Sequence, residues 1–179
     1  MNATIGNNFY ALQAKTKGEE KFMRLFRGQY PDISLPLYFP QRYLDIRRAG
    51  KIIPSKHAVF PGYVFLELSE DDNIYRYLPA FKKTEGFYRF LKSNRDISPL
   101  QKRDLELVLH FIKIGPVIGK SKVYFDENSR IVVLHGPLFG LEGRIVKVDK
   151  RKKRAKINLD LYDNSFFIDL AFDVIKLAQ

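Results

Sequence analysis

Residues 8–16 (NFYALQAKT) alternate apolar and polar side chains, which predicts a strand, because successive strand residues face opposite sides. Gly18 and Glu19 then open a helical stretch in which Phe22, Leu25 and Phe26 recur at i, i+3 and i+4 and make one apolar face. Pro31 disfavours helix at the residue before it, so this helix should stop near Tyr30. Residues 37–48 predict a second extended region bent at Pro40. Ala49-Gly50-Lys51 is a turn, and residues 51–57 run back, giving a long hairpin. Residues 60–68 (FPGYVFLEL) predict a strong strand. Asp71 and Asp72 are candidate caps for a helix carrying Ile74, Tyr77, Leu78 and Phe81 on its apolar side. A short strand at 86–91 follows. Ser98 suits an N-cap and Pro99 the first position of a last helix, with Leu105, Val108, Leu109 and Ile112 as its stripe and Gly115-Pro116 as its end.

Residues 116–128 (PVIGKSKVYFDEN) mix Gly, Pro and charge and read as a linker, although Val123-Tyr124-Phe125 is more apolar than a free linker needs. From Arg130 the texture changes. RIVVLHG, GRIVKVD, AKINLDL, FFIDLAF and VIKL are short strands with turn signals between them, the pattern of a small barrel. Gly136, Gly140 and Gly143 sit between the first two of these and suit corners that need φ > 0 or close backbone approach. The fold class is therefore α+β. A mixed α/β layer with an antiparallel sheet spans residues 1–115, a linker 116–128, and a small β-barrel 129–179.

Composition narrows the functions available. Among 179 residues there is no Cys, which excludes disulfides and thiolate metal sites. No stretch approaches the roughly 18 apolar residues of a membrane span, and the N-terminus lacks a signal-peptide pattern, so a soluble cytoplasmic protein is expected. The net charge of +11 raises the expectation of a nucleic-acid partner. It is not one basic tail: 19 basic face 12 acidic side chains up to residue 115, and 12 face 8 after it. His57, His110 and His135 lie far apart with no metal-ligand spacing, and no nucleophile-elbow, phosphate-loop or dinucleotide motif is present. A non-enzymatic protein without cofactor or metal is expected.

Two motifs, in this order, resemble the NusG family. FPGYVFLEL at 60–68, after a basic hairpin and the FYALQAK opening, is similar to the family's NGN domain. RIVVLHGPLFGLEGRIVKVDKRKKRAKINL at 130–159 is similar to its KOW module, an SH3-like barrel. The strongly basic turn at 149–156 and the KSKVYFDEN segment resemble a specialised paralogue of the LoaP antiterminator kind. The resemblance implies a transcription elongation or antitermination factor that modulates pausing or termination. It implies docking on the clamp helices of the largest RNA polymerase subunit through Phe60, Tyr63 and Phe65, with Gln13 on the neighbouring strand. Alternation alone favours the core for the same aromatic residues, and it is the resemblance that turns Phe60 and Tyr63 toward docking.

Two basic clusters are candidate phosphate contacts for nascent RNA or DNA: Arg42, Arg47, Arg48, Lys51 and Lys56 on the hairpin, and Lys150, Arg151, Lys152, Lys153 and Arg154 at a KOW turn. The plain alternative for each is a solvated turn. In the family the KOW module also has an edge that contacts a termination factor or a small-subunit ribosomal protein; here it falls on Leu161, Tyr162 and Phe166, followed by Phe167. The family usually carries Gly and a basic residue where Asp163-Asn164 stand, and loss of the termination contact would fit an antiterminator. The competing reading is a stand-alone RNA-binding or ribosome-associated KOW protein, which would not need the N-terminal half.

Overall fold

A computed structural model describes residues 6–162 and 164–175. The chain forms two compact units that are not simply successive: residues 1–40 with 60–116, and residues 41–59 with 117–179.

The first unit is built on a four-stranded sheet ordered β2-β5-β1-β6. Its strands are β1 (Asn7–Ala14), β2 (Leu37–Tyr38), β5 (Tyr63–Ser69) and β6 (Phe87–Phe90). β1 pairs antiparallel with β5 (Gln13 opposite Tyr63, Ala11 opposite Phe65) and with β6 (Gln13 opposite Arg89). One sheet face carries Tyr10, Leu12, Ala14, Val64, Leu66 and Leu68. Against it pack α1 (Glu19–Gln29), through Phe22 and Phe26, and α2 (Leu78–Lys83), through Phe81. The aromatic packing is close: Phe26 and Phe81 stack with ring centroids 4.3 Å apart, and Phe81 meets Phe90 edge-on at 5.1 Å.

The other face is apolar too, because a second helix covers it. Phe65 meets Phe60 edge-on at 5.1 Å, and Phe60 meets Phe111 of α3 (Lys102–Ile114) edge-on at 5.6 Å. A strand apolar on both faces thus sits between two helical layers. The α3 helix starts three residues later than Ser98-Pro99 suggested, with Gln101 as its N-cap. The preceding segment is held to the sheet instead, since the Leu100 N–H donates to the Phe9 carbonyl at 2.6 Å. Its buried residues are Leu107, Val108 and Phe111, so only Val108 of the expected stripe is fully inside.

The second unit joins the hairpin to the C-terminal strands. β3 (Gln41–Arg48) and β4 (Lys51–Ala58) pair antiparallel across Ala49-Gly50, both with φ > 0, as a two-residue hairpin turn requires. β7 (Val117–Ile118) adds to β3 in parallel. The larger sheet is ordered β10-β11-β12-β8-β9. Its members are β8 (Ser121–Phe125), β9 (Ile131–His135), β10 (Ile145–Asp149), β11 (Arg154–Leu161) and β12 (Asn164–Val174). Residues 121–125, placed in the linker by sequence, are therefore a full strand paired with β12 and β9, and Val123 is buried. The hairpin, assigned by sequence to residues 1–115, clusters here with the C-terminal strands.

Gly136 (φ +99) and Gly140 (φ +78) occupy left-handed corners, and a Cβ on Gly136 would lie 2.7 Å from the Ser121 Cα. Gly143 does not: it lies in a 3-10 turn, Glu142–Arg144, that any residue can adopt. Lys176 and Leu177, at the end of the predicted last strand, lie outside the described residues.

Candidate functional site

In the first unit the α3-covered face of the sheet has an uncovered end. There Gln13 and Tyr63 sit opposite each other, with Arg89 beyond them on β6. The Gln13 amide donates to the Tyr63 hydroxyl at 3.2 Å, and the Arg89 Nε donates to the Gln13 Oε1 at 2.8 Å. Gln13 and Tyr63 are half-buried and Arg89 is exposed, next to exposed Tyr88. The row presents one aromatic ring, one amide and one guanidinium, a set suited to gripping a protein helix with both apolar and acidic groups. Arg89 was missed in the sequence; the signal available was a cation between aromatic residues in FYRF.

Phe60 and Phe65 do not join this row. Both rings are completely buried and belong to the Phe65–Phe60–Phe111 stack. The expectation that they form a docking surface is corrected: α3 covers their face of the sheet, and alternation alone does not distinguish a covered second face from an open one. Tyr63 and Gln13 remain available.

The turn that presents Tyr63 is anchored from within. The Gly62 N–H donates to the Glu19 Oε1 at 2.7 Å, the Ala14 N–H donates to the Gly62 carbonyl at 2.9 Å, and Gly62 has φ +84. Glu19 is itself buried, a role invisible in sequence because Glu19 reads as an ordinary first-turn acid. Further along the same face, the Tyr38 hydroxyl donates to the Glu67 Oε2 at 2.6 Å. Burial and this carboxylate push the Tyr38 phenol up to about 12.

In the second unit the basic residues divide into anchors and exposed cations. Arg42 is an anchor, not a phosphate contact: it is buried, its Nε donates to the Asp169 carbonyl at 2.7 Å and its Nη1 to the Ala58 carbonyl. Burial lowers its pKa to about 10; nearby Asp169 opposes the shift and Arg154 adds to it. Arg154 is half-buried and donates to the Asp45 carbonyl on β3. Arg47, Arg48, Lys51, Lys56, Lys150, Arg151, Lys152 and Lys153 are exposed. Lys56 lies over the Tyr43 ring at 6.0 Å and Lys150 over the Phe125 ring at 4.1 Å. The basic turn has a defined shape. The Lys152 N–H donates to the Asp149 Oδ1 at 2.8 Å, which with nearby Lys152, Arg151 and Lys147 holds that carboxyl below its usual range. Lys153 has φ +52.

The predicted KOW partner edge is only partly a surface. Leu161 is completely buried, because it faces inward with Ala155, Ile157 and Leu159 along β11. Tyr162 and Phe166 are half-buried. The large exposed ring on this edge is Phe167, opposite Asn158. Asp163 lies outside the described residues. Among the described residues no group of three or more His, Cys, Asp or Glu could hold a metal, and no helix is long and apolar enough to cross a membrane. His110 packs edge-on against Phe111 at 5.0 Å.

The chain thus pairs a helix-flanked antiparallel sheet carrying an aromatic, amide and guanidinium row with a small β module carrying a basic turn. The family model described as "Transcription termination factor nusG" matches residues 7–109, more than half of the 179. The chain belongs to the NusG family of transcription factors. Over 178 residues it is 22% identical to the "Transcription termination/antitermination protein NusG" of Neisseria meningitidis, covering 96% of this chain and 98% of that one. The protein of the same name from Buchnera aphidicola is 25% identical over 182 residues, with 98% and 99% covered. A solved structure titled "Domain interaction in Thermotoga maritima NusG" shares the fold, with a TM-score of 0.50 and 19% identity over 92% of this chain and 93% of that one.

Proposed function

We propose that this protein is a transcription elongation and antitermination factor that docks on RNA polymerase through the Tyr63–Gln13–Arg89 row. The partner is the pair of clamp helices of the largest subunit. The observation that carries the reading is that row: an aromatic residue held half-exposed by a buried anchor, on the strand whose motif the family uses for docking. No bond is made or broken in such a role. A factor that binds the closed clamp better than the open one shifts the population away from paused states.

The exposed cations of the hairpin and the β10–β11 turn contact the phosphates of nascent RNA or of DNA. The KOW edge around Phe167 takes a protein partner, a termination factor or a small-subunit ribosomal protein. The basic turn supports a specialised antiterminator of the LoaP kind. The stand-alone or ribosome-associated reading is disfavoured because the family match lies in the N-terminal part, which that role does not use.

Transcription in vitro across an intrinsic terminator, with purified polymerase and the full chain, tests the function. Increased readthrough with native protein, abolished by Tyr63→Ala, is the expected result; unchanged termination with saturating protein contradicts it.

A further inference from the structure

We propose that the β3–β4 hairpin and the β10–β11 turn form one composite surface that grips a single nucleic-acid strand by its phosphodiester backbone, with Arg42 and Arg154 as positioning residues that weld the two halves. The inference rests on the nucleic-acid reading above and deepens it.

Sequence shows two basic clusters about a hundred residues apart. The structure puts both in one unit and fixes their relative direction. Two anchors tie β3 to the larger sheet. Arg42 reaches the Asp169 carbonyl, and three residues further along β3 the Asp45 carbonyl receives Arg154. In the β11–β12 ladder Asp169 lies opposite Lys156, and Ala171 opposite Arg154. Moving along β3 from Arg42 to Asp45 therefore follows β11 from Lys156 to Arg154, toward the turn at Lys150–Lys153. The hairpin continues the same way, so Arg48 lies about 10 Å beyond Asp45 at a strand's rise per residue. The hairpin tip and the basic turn thus share one end of the unit.

The carboxylates at that end already have partners. The Lys120 Nζ lies 2.7 Å from the Asp45 Oδ2 and the Lys122 Nζ 2.9 Å from the Asp173 Oδ2, while Asp149 accepts the Lys152 N–H. Arg47, Arg48 and Lys51 on one side and Lys150 to Lys153 on the other are exposed, although the Lys152 Nζ also lies 4.0 Å from the Asp149 Oδ2 and Lys150 lies over the Phe125 ring. Each cluster alone would give weak, salt-sensitive binding. Held rigidly together, they bind one strand with the advantage of a high effective concentration. Phosphate recognition is blind to sequence, so RNA and DNA are distinguished by experiment.

The test is fluorescence anisotropy on the full chain with labelled RNA of about 4 and about 16 nucleotides, spanning the site sizes of single-strand modules. Single-stranded DNA of the same lengths and an RNA hairpin form parallel arms. The native chain should bind one long strand per protein, at least tenfold tighter than the short one. The hairpin variant Arg47→Ala/Arg48→Ala/Lys51→Ala and the turn variant Arg151→Ala/Lys152→Ala/Lys153→Ala should each erase that advantage. Each should also lower the salt slope by about 0.7 for every phosphate that a single strand no longer has neutralised. Arg154→Met, which leaves the exposed cations in place, should weaken the long strand about tenfold and leave the short one unchanged. A purely structural role for Arg154 would move both or neither. Equal affinity for short and long strands in the native chain, or two long strands bound per protein, overturns the composite site while leaving the nucleic-acid reading intact. No binding of any probe overturns both. Should Arg154→Met melt below the assay temperature, the two exposed-charge variants decide: retention of the long-strand advantage by either one overturns the proposal.

Discussion

Truncating Phe65 and Tyr63, two residues apart on β5, should give opposite results. Phe65 has no exposed surface and meets Phe60 edge-on at 5.1 Å, which in turn meets Phe111 at 5.6 Å. Replacing a fully buried phenylalanine by alanine costs about 3–5 kcal/mol, from the forfeited transfer energy and the cavity left behind. The edge-on pair contributes about 0.5–1.5 kcal/mol of that, which appears as coupling in a cycle with Phe60→Ala. A domain of ordinary stability, about 5–15 kcal/mol, would keep a small margin. Tyr63 is half-buried and its hydroxyl accepts one hydrogen bond from Gln13, so Tyr63→Ala should cost no more than about 1–2 kcal/mol. Urea unfolding followed by circular dichroism measures both costs, and binding to core polymerase is measured on the same preparations under native conditions. Phe65→Ala should shift the midpoint strongly and retain binding in proportion to its folded fraction. Tyr63→Ala should shift it little and abolish binding. A Phe65→Ala protein that unfolds with the native midpoint and fails to bind would refute the assignment of this ring to the core.

Three further outcomes follow from the packing and the titrating groups. Gly136→Ala should destabilise the second unit by about 1–3 kcal/mol, read as a lower melting temperature, because φ is +99 and the added Cβ meets backbone 2.7 Å away. Arg42→Met should cost about 1.5–3 kcal/mol by leaving the Asp169 and Ala58 carbonyls without their charged donor, read as a lower urea midpoint. The Tyr38 phenol is raised in the folded protein to about 12 from 10, so its stabilising contribution is complete below pH 10 and lost as pH rises toward 12. Tyr38→Phe should flatten the stability profile over that alkaline window, and an unchanged slope there would contradict the raised phenol that burial and, second to it, Glu67 produce.

Local signals carried the elements and left their neighbours open. Periodicity located β1, the hairpin, α1 and most C-terminal strands, because each rests on its own side-chain pattern. It missed β8 because Ser121–Phe125 is flanked by Gly and charge, and pairing with β12 and β9, distant in sequence or joined by a turn, is what makes it a strand. The α3 stripe was set one position off, since Leu105 and Leu109 look as apolar as Leu107 and Phe111 until the packed face is known. The candidate site divided in the same way. The family resemblance pointed to Tyr63 and Gln13 and charge pointed to the cations, and the structure leaves these side chains half-buried or exposed. Burial, a tertiary property, removed Phe60, Phe65, Arg42 and Leu161 from the surface and brought Arg89 and Glu19 into the account.

Co-purification of the full chain with core RNA polymerase, comparing the native protein with Gln13→Ala/Tyr63→Ala/Arg89→Ala, tests the proposed docking row directly. The native chain should be retained in near-stoichiometric amount and the triple variant, still folded by circular dichroism, should wash away. Equal retention of the two proteins would place the polymerase-binding surface elsewhere on the molecule.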